Sequence, residues 1–292
     1  MTFYKYNGAG NDFLIADNRD ASLRLEASYI SAICDRHYGI GADGVMLLGA
    51  GRDGFDFTMD YYNADGSGGM MCGNGGRCIV AFAKFLGLTP SSVDGRWSFL
   101  GPDGGHEAYI LCAEDKCMTV RLKMIDINVA RHYDSLECAP SVSGWFIDTG
   151  TRHFVRFVGS PVDAKYVEEE GRRLRRASEF APAGSNVNFV LKGNPLKVRT
   201  FEKGVEAETC ACGTGVTATA AAAWLDGVEP ASRDVRTGSV HYDVDALNDR
   251  LSVDFIPACP DGISGGDGSG KLFSDVWLTG PATLVAKIDV LF

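Results

Sequence analysis

The chain lacks the spacings that build common metal sites. Its five histidines form no His-x3-His pair and its cysteines form no Cys-x2-Cys pair, so the usual structural zinc frameworks are excluded and no metal is expected. No run of about 18 apolar residues is present to cross a bilayer. The first residues, Met1-Thr2-Phe3-Tyr4-Lys5-Tyr6, lack a basic stretch followed by an apolar core, so no secretory leader is expected. Positive charge is also short, because 28 Lys and Arg stand against 38 Asp and Glu for a formal net charge of -10. Nucleic acid and anionic membranes need a clustered basic face, so neither is an expected partner. A small anionic substrate stays open if backbone N–H groups supply the local field. The expectation is a soluble, cytoplasmic protein that acts on a small molecule.

Cysteine is what the chain does have, at positions 34, 72, 78, 112, 117, 138, 210, 212 and 259. An odd set without a secretory leader reads as reduced thiols, most of them inert core residues. Two differ. Met71-Cys72-Gly73-Asn74-Gly75-Gly76 recurs in the second half of the chain as Ala211-Cys212-Gly213-Thr214-Gly215-Val216. Each cysteine is followed by an apolar segment that halts at a glycine, Gly87 after Cys72 and Gly227 after Cys212, and the two intervals are equal. Each is also preceded at one common distance by a similar pair, Gly10-Asn11 before Cys72 and Gly150-Thr151 before Cys212. Three landmarks sharing one offset predict an internal duplication with a boundary near residue 125.

Many short β-rich stretches separated by turn residues predict largely antiparallel sheets, at 12–17, 45–48, 55–62, 108–110, 118–124, 154–158, 188–191, 197–201, 250–255 and 276–278. Amphipathic helices are expected at 27–36 and from 163 to about 177, the latter with a charged solvent face. The two post-cysteine helices are apolar nearly all round and must be buried. The predicted fold is therefore α/β in the α+β sense, with two pseudo-symmetric lobes, each a curved sheet or barrel around a central helix. The first lobe covers 1–125, joined by a returning C-terminal strand at 275–292, and the second covers 126–274, with the active site in the cleft between them. Residues 90–105 and 257–270 read as exposed loops, the second glycine-rich and flexible.

Each repeated cysteine lies at the mouth of a buried helix, where unpaired N–H groups and the positive dipole end favour an anion. That place can lower a thiol pKa toward neutrality or hold a substrate carboxylate on the N–H groups of residues 73–75 and 213–215. Two such cysteines on opposite faces of one carbon could remove a proton and return another, inverting the centre. Other readings are a cross-cleft disulfide in a redox or binding protein, or a metal site assembled from Cys210, Cys212, Cys112, Cys117 and histidines.

The motifs Gly8-Ala9-Gly10-Asn11-Asp12-Phe13, Asp35 to Gly44, Asn63-Ala64-Asp65-Gly66-Ser67, Cys72-Gly73-Asn74-Gly75, Gly184-Ser185-Asn186-Val187-Asn188-Phe189, Glu202-Lys203-Gly204 and Ala211-Cys212-Gly213-Thr214-Gly215 occur in this order. Together with Leu278-Thr279-Gly280-Pro281-Ala282, the set resembles the diaminopimelate epimerases over nearly the whole chain. The resemblance implies a pyridoxal-independent epimerase with no cofactor, interconverting LL- and meso-diaminopimelate on the route to lysine and peptidoglycan. It implies Cys72 and Cys212 as the acid/base pair, Gly73, Asn74, Gly213 and Thr214 on the reacting carboxylate, and Asn11, Asn63, Asn186, Glu202 and Lys203 as substrate contacts. It also implies a homodimer. Two departures from the family pattern bear on specificity. Thr151-Arg152-His153 stands where Asn-Pro-His is common, and Lys203 where Arg is common, so Lys203 or Arg152 is the expected partner of a distal carboxylate. A racemase or epimerase of another amino acid on the same fold is the alternative. His153 reads as a satisfied polar residue near the site, Cys210 as a packing residue and Cys78 as core.

Overall fold

The computed structural model describes residues 1–69, 72–258 and 271–291; most of the glycine-rich 257–270 segment, and Cys259 in it, lie outside the described residues. The chain falls into two compact units, Met1–Lys123 with Thr279–Phe292, and Met124–Leu278.

In the first unit the order is β1 (Thr2–Gly8), β2 (Asn11–Asp17), α1 (Ala27–Cys34), β3 (Gly44–Ala50), β4 (Phe57–Asn63), α2 (Gly73–Phe85), β5 (Trp97–Gly101), β6 (Gly104–Glu114) and β7 (Cys117–Lys123). The second unit holds β8 (Val129–Tyr133), β9 (Gly144–Asp148), β10 (Arg152–Val158), α3 (Ala164–Leu174), β11 (Asn186–Leu191), β12 (Leu196–Glu202), β13 (Ala207–Thr209), α4 (Gly213–Leu225), β14 (Ser232–Arg233), β15 (Val240–Asp245) and β16 (Arg250–Pro257). The last strand, β17 (Phe273–Asp289), begins in the second unit and ends in the first.

The first unit closes on itself. Consecutive strands pair from β1 through β7, β7 pairs with β17 at Val120↔Gly280, and β17 pairs back to β1 at Phe3↔Ile288. The result is a barrel, mostly antiparallel, with parallel pairs among the described residues at β2–β3 and β4–β5. A parallel pair cannot be joined by a hairpin and needs a crossover. The two crossovers carry α1 and α2. The second unit repeats the pattern, with β8–β9 and β9–β10 antiparallel, β10–β11 parallel across α3, β11–β12 antiparallel, β12–β15 parallel across α4 and β15–β16 antiparallel. The duplication read from the sequence offsets is thus a duplication of topology.

The helix after each cysteine is the core of its unit. α2 packs against β1, β2, β3, β6 and β7, and α4 against β9, β10, β11, β12, β15 and β16. Every residue from Gly73 to Ala83 is buried, and Phe82 meets the rings of Tyr4 and Tyr6 at 5.1 and 6.0 Å. Burying a side chain of that size contributes roughly 1.5–3 kcal/mol. α4 is lined with alanine because strands approach it from all sides. Both helices end at a left-handed glycine, Gly87 at φ +81° and Gly227 at φ +70°. Their N–H groups donate to Lys84 O and Trp224 O, and the next residues donate to Ala83 O and Ala223 O, which satisfies the last carbonyls of each helix.

Two expectations are corrected. The stretch 90–105 is not wholly loop, because β5 occupies Trp97–Gly101 and pairs with both β4 and β6. Its Gly- and Pro-rich flanks hide a strand whose inward residues, Trp97 and Phe99, are buried. The other concerns the first central helix, expected to be apolar nearly all round: it is buried as expected, and the polar group it carries inward is Arg77, fully buried.

Candidate active site

In the first unit, α2 starts at one end of the barrel. Gly44 at the start of β3 lies opposite Phe13 of β2 and Asn63 of β4, so Asn11, Asn63 and the helix that follows β4 share that end. Cys72 is the N-cap of α2, with extended backbone at φ -107°, and its Sγ accepts the Gly75 N–H at 3.2 Å. A Cβ on Gly75 would stand 3.3 Å from Cys72 Sγ and from Met46 Sδ, so a side chain there would press on the catalytic candidate's sulfur. Asn74 is buried, and its Nδ2 donates to Asn11 Oδ1. Asn11 Nδ2 donates in turn to Asp43 Oδ2 at 3.0 Å. Arg36 bridges Asp12 and Asp43, both at 2.7 Å, and Lys5 adds a contact to Asp12 at 2.9 Å. Partial burial works against the Asp12 charge, yet these two cations hold its carboxyl below the usual carboxylate range. Asn63 closes a turn, donating from its backbone N–H to Ser67 O and from Nδ2 to Ser67 Oγ. Asp65 accepts from Ser67 twice, and Gly66 supplies φ +82°.

In the second unit Cys212 is the N-cap of α4 at φ -103°. Its Sγ lies 3.3 Å from Thr214 Oγ1. Enclosure, followed by the nearby Glu202 carboxylate, pushes this thiol above its ordinary pKa, with the Thr214 hydroxyl opposing in part. A helix end favours a lowered thiol pKa, and at Cys212 desolvation and a like charge outweigh it. Glu202 ends β12 and accepts a hydrogen bond from Thr209 Oγ1. Asn186, nearly buried, accepts the Lys203 N–H on Oδ1 at 2.8 Å. Lys203 sends its own amine to Ala183 O at 3.1 Å. Thr151 and Thr214 touch through their hydroxyls at 3.0 Å; they stand where the repeat places the counterparts of Asn11 and Asn74, so the side-chain pair is repeated along with the cysteine. Arg152 is exposed. Gly73 and Gly213 are the first residues of their helices.

His153 sits behind this second mouth and is fully buried. Asn188 Nδ2 lies 3.1 Å from its Nδ1, while Thr151 and Thr214 hydroxyls lie 2.9 and 3.0 Å from its Nε2. Asn188 Oδ1 is taken by the Thr200 hydroxyl at 2.9 Å, which fixes the amide with Nδ2 toward the ring. The shorter amide contact assigns the imidazole Nδ1 as acceptor and the proton to Nε2, toward the two hydroxyls, with Asn186 Nδ2 farther off at 3.4 Å from Nε2. Burial lowers its pKa from 6.5 to about 3, so it is neutral at ordinary pH.

Sequence reasoning passes over Asn188 and Arg77. Asn186 and Asn188 are two apart on one strand and so share a face, a signal the sequence does carry. Arg77 offers none, since one arginine in an apolar run reads as a solvent-facing position. Its counterpart in the repeat, Thr217, donates from Oγ1 to Gly213 O at 3.0 Å. Thr217→Val is expected to lower stability by about 1 kcal/mol, readable as a small drop in denaturation midpoint.

Of the remaining thiols, Cys34 and Cys78 are buried and Cys112, Cys117 and Cys138 are exposed. Burial pushes Cys78 up to about 12 and Cys34 to about 11, so both stay protonated. Cys210 is half-buried, with Asn248 Nδ2 at 3.6 Å from its sulfur.

The sequence profile of diaminopimelate epimerase matches residues 3–96 and 145–254. The chain belongs to the diaminopimelate epimerase family. It is 36% identical to a diaminopimelate epimerase of Flavobacterium psychrophilum over 99% of this chain and 100% of that protein. It is 43% identical to one of Chlorobaculum tepidum over 73% of this chain and 80% of that protein. Family membership makes the chain an isomerase acting on a small molecule. Solved structures share its fold at low identity. A probable proline racemase from Agrobacterium radiobacter has a TM-score of 0.68 at 13% identity, covering 100% of this chain and 93% of that one. A phenazine biosynthesis protein of Bacillus anthracis has a TM-score of 0.67 at 14% identity, covering 100% and 99%.

Proposed function

We propose that this epimerase interconverts LL- and meso-diaminopimelate by moving protons at the α-carbon with Cys72 and Cys212. The observation that carries the reading is the repeated N-cap cysteine at the start of a buried helix in each unit. Inversion needs a base on one face of the carbon and an acid on the other, and two thiols supply both without pyridoxal phosphate. A thiolate takes the α-proton, the carboxylate becomes enediolate-like, and a thiol delivers its proton to the opposite face. Gly73, Asn74, Gly213 and Thr214 stand at helix starts, where N–H donors absorb that growing charge. Asn11, Asn63, Asn186, Glu202 and Lys203 bind the rest of the substrate. Either cysteine serves as base or acid according to the direction of reaction.

The deciding experiment is solvent-deuterium incorporation at the α-carbon of LL-diaminopimelate, with reduced enzyme and no added cofactor, read by NMR and mass spectrometry. Incorporation with inversion is expected. Exchange with another amino acid instead would keep the mechanism and replace the substrate, and no exchange with any would remove it. Cys210→Ala is expected to retain full activity, since the internal repeat pairs Cys72 with Cys212. A dead Cys210→Ala beside a live Cys212→Ala would reverse the assignment. The family resemblance further supports a cytoplasmic homodimer, to be checked by sedimentation at micromolar protein.

A further inference from the structure

We propose that Arg77 is a positioning residue that fixes which atoms of Asn74 and Asn11 face the substrate. The proposal rests on the reading that this helix mouth binds diaminopimelate. Arg77 has no exposed surface. Its Nη2 donates to Asn74 Oδ1 at 2.8 Å, Nη1 to Gly73 O at 3.2 Å and Nε to Pro281 O at 3.3 Å. A guanidinium has donors only, so the Asn74 carbonyl oxygen must turn toward it. The Asn74 Nδ2 then points the other way and donates to Asn11 Oδ1. With its oxygen occupied, Asn11 turns its own Nδ2 outward, where Asp43 accepts at 3.0 Å. The chain runs from a buried cation through two amides to a carboxylate, and every donor points in one direction. Reversing either amide would set N–H against N–H at one junction.

Asn11 Nδ2 carries two hydrogens, and the relay uses one of them on Asp43. Asn11 therefore offers the site an N–H donor and not a carbonyl, which suits a carboxylate or other oxygen of a substrate. Arg77 and Asp43 hold the two ends of the relay; without Arg77 the Asn74 oxygen loses its cation partner and the direction of both amides is held from the Asp43 end with less force.

The second unit argues that the fold alone does not demand this arginine. Thr217 occupies the equivalent turn of α4, bonds Gly213 O as Arg77 bonds Gly73 O, and among the described residues makes no side-chain hydrogen bond at the helix mouth. The same helix in the same topology is thus built with a small neutral residue. Burying a guanidinium is costly; beyond the Gly73 carbonyl it reaches Pro281 O, Gly8 O and, at the shortest distance, the Asn74 side chain, and of these Asn74 is the contact at the helix mouth.

Two variants test this, Arg77→Met, which keeps length and loses the donors, and Arg77→Lys, which keeps charge and part of the donation. The first readout is hydrogen exchange of the Asn11 and Asn74 side-chain amides in 15N spectra, assigned with single Asn→Asp variants. Protected, well-separated amide signals are expected in the wild type, lost in Arg77→Met and partly kept in Arg77→Lys. The second is kinetic: kcat/KM with diaminopimelate should fall on the order of 100-fold in Arg77→Met, the size of a loss from misplacement, and less in Arg77→Lys. Arg77→Met combined with Asn11→Ala should be little worse than Asn11→Ala alone. Unchanged amide signals in a folded variant, or activity that only tracks the folded fraction, would overturn the proposal. If Arg77→Met does not fold, the lysine variant decides by the same two readouts. A wild type that fails to turn over diaminopimelate would sink the functional reading, while the amide signals would still decide the positioning role.

Discussion

Cys72→Ala and Cys212→Ala are each expected to abolish epimerisation while leaving the fold intact. Each cysteine is an N-cap residue outside the helix proper, so truncation removes a small side chain at a helix mouth and no core volume. Loss of one positioned acid or base costs about 10²–10⁴ in rate, and two-base inversion fails without either partner. Cys72→Ser and Cys212→Ser should keep the shape and lose most of the rate, because a hydroxyl is a far weaker acid than a thiol. Deuterium incorporation separates the roles: a variant lacking only the acid can still take a proton from the substrate in one direction and return solvent deuterium to the same face. Exchange without inversion in one variant and no exchange in the other, with the pattern reversed for the opposite stereoisomer, is the expected signature. Full activity in either alanine variant would end the two-thiol mechanism.

The second large effect is on acid stability, through His153. Its folded pKa, about 3, lies below the ordinary value of 6.5 because the ring is buried. The unfolded chain therefore takes up a proton first as pH falls. The histidine's contribution is complete above pH 6.5 and declines on acidification by about 1.4 kcal/mol for each pH unit. Near pH 3.5 the decline reaches roughly 4 kcal/mol, a large part of the stability of an ordinary domain. Urea midpoints measured from pH 7 to pH 4 should fall steeply in the wild type and less steeply in His153→Gln, by about one proton of slope. Parallel pH profiles in the two proteins would show that His153 is not protected from protonation. In the folded protein the ring stays neutral down to about pH 3, so its contacts to Asn188, Thr151 and Thr214 should persist until the chain unfolds.

Much of this is legible in the sequence because duplication repeats spacing as well as residues. The offset that carries Cys72 to Cys212 also carries Gly87 to Gly227 and the side-chain pair Asn11–Asn74 to Thr151–Thr214. The burial of both central helices follows from their composition, since a helix without a polar face has to be covered. Less legible is β5, where turn-forming residues on both sides of Trp97–Gly101 mask a short strand. β1 pairs locally with β2, but its second partner, β17, lies at the other end of the chain and only the closed barrel brings them together. The resting contact of the Lys203 amine with the Ala183 carbonyl is likewise not readable from residue order.

The sequence by itself determined the repeat, the two cysteines with their glycine frames, and the family, because these are carried by residue type and spacing along the chain. Only the tertiary structure decided the electrostatic state and orientation of what surrounds them. The raised pKa of Cys212 depends on its enclosure and on Glu202, the neutral His153 on complete burial beside Asn188, and the Asn74–Asn11 orientation on a guanidinium hidden in the helix. Each of these depends on which groups are brought near and how much water is removed, and neither quantity is written in the order of the residues.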